Sequence, residues 1–107
     1  MIPHPMQVFY IPARLGLCKD VRPCIVVFPP HGELVPGLLV SAQWDCHLPT
    51  DFEIRADHPD FPATGLTKEC YVRDRLIDEP LIKFTNKGHR GELSGTLLTS
   101  FKKWLGL

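Results

Sequence analysis

Proline and glycine interrupt this chain so often that little room is left for long regular elements before its C-terminal end. The 11 prolines and 8 glycines among 107 residues fall mainly between apolar runs. Proline cannot donate to a ladder and breaks a helix interior, while glycine and proline together set up turns. Between them lie short strands joined by irregular loops, so the pattern predicts a mostly β domain. A chain of this length buries one proper core and is too short for two ordinary domains, which makes residues 1–107 a single domain in this reading.

Val8 to Ile11 reads as a first short strand. Val21 to Phe28 is a second, and the unbroken apolar run around β-branched Ile25, Val26 and Val27 implies burial on both faces. After Pro29-Pro30-His31-Gly32, Leu34 to Gln43 reads as a third strand and Phe52 to Arg55 as a fourth. The prolines of Asp57-His58-Pro59-Asp60-Phe61-Pro62 make that stretch a surface loop. Phe61 and Trp44 fall in or beside loops, where a partner surface is the simplest use for them. Glu69 to Ile77 alternates, with Cys70, Val72 and Leu76 facing one way and Tyr71, Arg73 and Arg75 the other: a half-buried strand displaying a basic, aromatic face. From Ser94 the period changes. Leu97, Leu98, Phe101, Trp104 and Leu105 recur at three-and-four spacing, Lys102 and Lys103 suit the C-terminal end of the helix dipole, and Ser94 is the N-cap candidate. Short strands with one terminal helix suit a small curved sheet or barrel, which also hides strand edges.

Basic and acidic residues balance at 12 each, so no global positive field draws nucleic acid, and any such contact needs a local patch. The start, Met1-Ile2-Pro3-His4-Pro5, has neither a basic nor an apolar leader region, and no run is long enough to span a bilayer, so a soluble cytoplasmic protein without a membrane partner is expected. In that setting Cys18, Cys24, Cys46 and Cys70 are reduced thiols. No Cys-x-x-Cys occurs, and Cys46 beside His47 is the nearest approach to a ligand pair, so neither a metal nor another cofactor is expected.

Four pieces, taken together, resemble the PemK/MazF family of toxins. They are Arg22-Pro23 at the mouth of the apolar run Cys24 to Phe28, the charged strand Gly65-Leu66-Thr67-Lys68-Glu69-Cys70-Tyr71-Val72-Arg73-Asp74, the step Gly91-Glu92-Leu93-Ser94, and the amphipathic segment that stops at Leu107. The resemblance implies an SH3-like barrel, a homodimer, and a toxin of a type II toxin–antitoxin system. Such a toxin is a sequence-selective endoribonuclease that cuts single-stranded mRNA without a metal and is held inactive by a cognate antitoxin.

Metal-independent RNA cleavage needs a base for the 2′-hydroxyl proton, a cation for the phosphorane charge and an acid for the leaving oxygen. Arginine suits the second role through its planar, permanently charged fork. By the resemblance, Arg22 is that arginine; its plainer reading is a solvated strand-end residue. The family's threonine or serine near the end of the third strand has no counterpart in Leu38-Leu39-Val40-Ser41-Ala42-Gln43-Trp44-Asp45-Cys46-His47 at the expected point, where Trp44 or Asp45 falls instead. Ser41, Asp45 and His47 are the remaining candidates for moving protons, with His47 alternatively a turn residue before Leu48-Pro49. Trp44 could stack on an unpaired base. Lys68, Tyr71, Arg73 and Arg75 form a second RNA-facing candidate, although Glu69 and Asp74 interleave with them as on an ordinary solvated strand. The rival to an enzyme is a catalytically inactive SH3-like module that binds nucleic acid or protein. A metal-binding module using Cys46 and His47 is a third possibility.

Overall fold

The computed structural model describes residues 2–12 and 21–107, so the expectation for Cys18 falls outside the described residues. Strand β1 (Gln7–Pro12) runs antiparallel to β2 (Val21–Val26), and β2 to β3 (Leu34–Ser41). β4 (Phe52–Ile54), β5 (Cys70–Val72), β6 (Ile77–Pro80) and β7 (His89–Glu92) follow, then helix α1 (Gly95–Leu105). The sheet path is β4-β5-β3-β2-β1-β7, with β6 joined to β3. These antiparallel strands form a curled half-barrel with one C-terminal helix, as the spacing of turns and apolar runs predicts.

Alternation along β1 and β2 feeds two cores on opposite faces of the sheet. Val8, Ile25, Leu38, Val40, Ile54 and Val72 pack beneath Leu97 and Phe101 of α1. Phe9, Ile11, Cys24, Val26 and Val35 pack with Phe84 on the other side. The run from Cys24 to Val27 is therefore buried on both faces, as read from its sequence. Gly37 sits where β3 crosses this double core. A Cβ there would lie 2.7 Å from the Cys24 sulfur, so the position admits no side chain without displacing that packing.

Several local expectations give way to tertiary structure. Phe61 is not a loop residue awaiting a partner: it is buried in the core under α1. The strand expected from Glu69 to Ile77 breaks after Val72, because a tight turn closes with the Arg75 N–H donating to the Arg73 carbonyl at 2.7 Å. The chain restarts as β6 against a different part of β3, leaving Leu76 exposed. Tyr71 is only 4% exposed, so β5 does not display its ring as the alternation suggests. Polar β7, which pairs with Gln7 to Phe9 through backbone groups, has no periodic signature. Ser94 occupies the N-cap of α1, but its side chain makes no capping bond. The Asp60 carboxylate caps instead, its Oδ2 accepting from Leu97 N at 3.3 Å and from Thr96 Oγ1 at 3.2 Å. Gly95, at φ 56°, leaves room for it: a Cβ there would lie 2.5 Å from Asp60 Oδ2.

Candidate nucleic-acid interface

Directly opposed residues in an antiparallel ladder share a face of the sheet. Glu53 of β4 opposes Tyr71 of β5, and Tyr71 opposes Ser41 of β3. The β2–β3 ladder ends at Cys24–Leu39, and beyond it a depression lined by Val21, Pro23, Val40 and Ser41 separates the two strands. Glu53, Tyr71 and Ser41 thus form one row across β4, β5 and β3, while Arg22 pairs with Ile11 of β1 on the far side of β2. Leu39 lies on the same face, two residues before Ser41.

Arg22 stands exposed at the open end of β2, over a depression of about 210 Å³ that it lines with Ile11, Pro12, Leu39 and Glu79. A neighbouring depression of about 310 Å³ is lined by Leu39, Arg73, Arg75 and Ile77. Half-buried Leu39 belongs to both, so three arginines ring one apolar residue. Among the described residues, the guanidinium groups of Arg22 and Arg75 have no hydrogen-bond or ion-pair partner. Arg73 is engaged: its Nε lies 3.3 Å from Asp51 Oδ1, an Nη donates to the Cys46 carbonyl at 2.7 Å, and the guanidinium lies over the Tyr71 ring. It ties the loop from Trp44 to Asp51 onto β5.

That loop carries the other half of the site. A short 3-10 turn at Trp44–Cys46 sets Trp44 and His47 against Tyr71, with ring centroids 5.0–5.4 Å apart. Trp44 Nε1 donates to the Glu69 carbonyl at 3.3 Å, and Tyr71 Oη to the Gln43 carbonyl at 3.0 Å. Arg55 lies over the Trp44 ring, 5.0 Å from its centroid. The same guanidinium holds Glu53 Oε1 through Nε at 2.8 Å and through Nη2, and reaches Glu69 at 3.5 Å. Glu53 Oε2 then faces His47 Nε2 at 3.3 Å. That nitrogen is buried, and Glu53 lies at ion-pair distance but off the line of a good hydrogen bond.

Asp51 anchors the far end of the loop. Its side chain is 1% exposed, accepting from Leu48 N at 2.8 Å and from Arg73. Burial pushes its carboxyl upward, but the Leu48 N–H and the Arg73 guanidinium outweigh that, so it ionises below the usual carboxylate value.

The other expected site residues are dispersed. Ser41 Oγ accepts from Gln43 N at 3.2 Å, and Asp45 is exposed on the 3-10 turn. Lys68 does not join Arg73 and Arg75: it lines a separate depression of about 190 Å³ with Tyr10, Val21, Pro23 and Ser41. Cys46 is exposed, whereas burial drives the Cys24 and Cys70 thiols up to about 12. Among the described residues no group of three or more His, Cys, Asp or Glu side chains is placed to hold a metal ion, and no helix is long and apolar enough to cross a membrane. Sequence reading missed Leu39, Asp51, Glu53 and Arg55. The alternation of Phe52 to Arg55 does place Glu53 and Arg55 on one face, and that was the available signal.

No family model matches the chain, and neither does any curated relative. Among solved structures it is similar to a chain of an endoribonuclease in complex with its cognate antitoxin from a mycobacterial species, with a TM-score of 0.61 and 20% identity. The similarity covers 98% of this chain and 94% of that one, so the likeness is one of fold, carried over nearly the whole length of both.

Proposed function

We propose that this chain is the toxin of a type II toxin–antitoxin pair, a metal-independent endoribonuclease of the PemK/MazF type acting on single-stranded mRNA in the cytoplasm. The observation that carries the reading is the row of Glu53, Tyr71 and Ser41, over which His47 packs on Tyr71 and beside Glu53, with Arg22, partnerless among the described residues, exposed at the end of β2. The full-length likeness to a chain from an endoribonuclease–antitoxin complex supports the same class, and with it an antitoxin as partner. A homodimer and sequence selectivity follow from the family resemblance.

In this mechanism the 2′-oxygen of the substrate attacks the adjacent phosphorus and the bond from phosphorus to the 5′-oxygen breaks, leaving a 2′,3′-cyclic phosphate. Because the nucleophile belongs to the substrate, no activated water is required. Arg22 stabilises the charge on the phosphorane oxygens. His47 takes the 2′-hydroxyl proton, and an acid returns one to the 5′-oxygen. Ser41 and Asp45 are the alternative proton carriers, and both lack the carboxylate partner that His47 has. Trp44 and Arg75 border the path of the strand, offering a ring for stacking and a cation for phosphate.

The test is cleavage of end-labelled single-stranded RNA in excess EDTA. Cutting with cyclic-phosphate ends, resistance of a substrate carrying 2′-deoxyribose at the cut, and a loss of at least about 10²-fold in Arg22→Ala at unchanged melting temperature are expected. Full activity in folded Arg22→Ala, or activity lost to EDTA and restored by zinc, overturns this mechanism. The second reading, a non-catalytic RNA-binding module, is favoured by one observation: Ser41, the nearest hydroxyl, uses Oγ to accept from Gln43 N two residues on. RNA bound but left intact is the result that selects it.

A further inference from the structure

We infer that Glu53 is a positioning residue for His47, fixing the imidazole tautomer so that Nδ1 presents the basic lone pair; its catalytic meaning rests on the endoribonuclease reading above. The two faces of the ring are in unlike surroundings. Nε2 is buried without a well-aligned hydrogen bond, and among the described residues the charged atom that faces it is Glu53 Oε2, at 3.3 Å. A carboxylate can only accept, so a small turn of the ring or carboxylate that aligns this 3.3 Å approach into a hydrogen bond puts the neutral ring's proton on Nε2. Nδ1 has no hydrogen-bond or ion-pair partner among the described residues, and the side chain keeps 21% of its surface exposed although Nε2 is buried. The proton therefore sits on the inward nitrogen and the lone pair points outward, the arrangement in which a carboxylate-backed histidine serves as a base.

The carboxylate is itself held. Arg55 grips Glu53 Oε1, stacks on Trp44 and reaches Glu69, so Oε2 has one orientation left to it, towards His47. Trp44 and Tyr71 pack around the imidazole and restrain its tilt. Proton, ring and carboxylate are thus fixed by the short strand β4 and by a loop pinned through Arg73 and Asp51.

Arg55 makes this inference sharply testable. In Glu53→Gln the guanidinium, a pure donor, keeps the amide oxygen, which turns the amide NH2 towards His47 Nε2. Nε2 must then accept, and the proton moves to Nδ1. Nitrogen-15 NMR of the imidazole reads this without any assay of activity. The expected results are the Nε2–H tautomer in the wild type, the Nδ1–H tautomer in Glu53→Gln, and a kcat for RNA cleavage lowered at least about 10²-fold with little change in KM. Releasing the amide in the double variant Glu53→Gln with Arg55→Gln should restore the Nε2–H form. An Nδ1–H tautomer in the wild type, or an unchanged tautomer in folded Glu53→Gln, overturns the inference whether or not the protein cuts RNA. A flipped tautomer with undiminished cleavage overturns the catalytic part of it. A flipped tautomer in a protein whose wild type cuts no RNA supports the positioning role and overturns the endoribonuclease reading instead.

Discussion

The carboxylate of Asp60 accepts the Leu97 N–H at 3.3 Å, so the last helix is capped by a residue 37 positions upstream and not by its own N-cap serine. Asp60→Ala should cost about 1 kcal/mol, the usual worth of a cap, while Ser94→Ala stays within about 0.5 kcal/mol of the wild type. Urea unfolding of the two variants compares them directly, and the reverse order would show that the local serine is the effective cap.

Asp51 makes stability depend on acidity. Its folded carboxyl ionises below the unfolded value of about 3.9, so its contribution is fully present above that pH and is lost as the pH falls through the lower folded pKa. Urea midpoints measured between about pH 5 and pH 2 should fall more steeply for the wild type than for Asp51→Asn. Parallel acid slopes would mean that Asp51 is no better stabilised folded than unfolded.

Thiol reactivity should divide sharply. Cys24 and Cys70, driven up to about 12 by burial, carry almost no thiolate near pH 8 and should resist alkylation in the native protein. Exposed Cys46 should label readily. Peptide mapping after timed iodoacetamide treatment reads each site, and rapid native labelling of Cys70 would show that the core under α1 opens easily.

Trp44→Ala should weaken binding of single-stranded RNA by about 1–3 kcal/mol, the worth of a lost stacking partner. The ring is half-buried against His47 and Tyr71, so melting should be followed alongside binding. Unaltered RNA affinity in a folded variant would make Trp44 a packing residue only.

Much of the framework was legible because it depends on nearest neighbours in the chain. The unbroken apolar run from Cys24 to Val27 fixes a doubly buried strand, and the stripe Leu97, Phe101 and Trp104 fixes the closing helix. What could not be read depends on meetings between distant segments. β7 pairs through backbone groups and so needs no apolar pattern. Phe61 looks like a loop residue until α1 closes over it. Tyr71 alternates as an exposed residue should, yet Trp44, His47 and Arg73 cover its ring. His47 was legible as a titratable group, but its partner Glu53 becomes one only when β4 folds beside the preceding loop.

Strand β3 gives its residues 37–39 to β2, and on its opposite edge gives 34–37 to β6 and 40–41 to β5. Every arm of the candidate site hangs from that one strand: Arg22 through β2, Tyr71 through β5, and Arg75 on the link from β5 to β6. Opening β3 would therefore dismantle the whole constellation at once. Amide hydrogen exchange should find the central β3 amides among the slowest in the molecule, releasing only through global unfolding. A site built this way is present or absent as a unit, so its occupancy in the cell tracks the folded fraction of the protein.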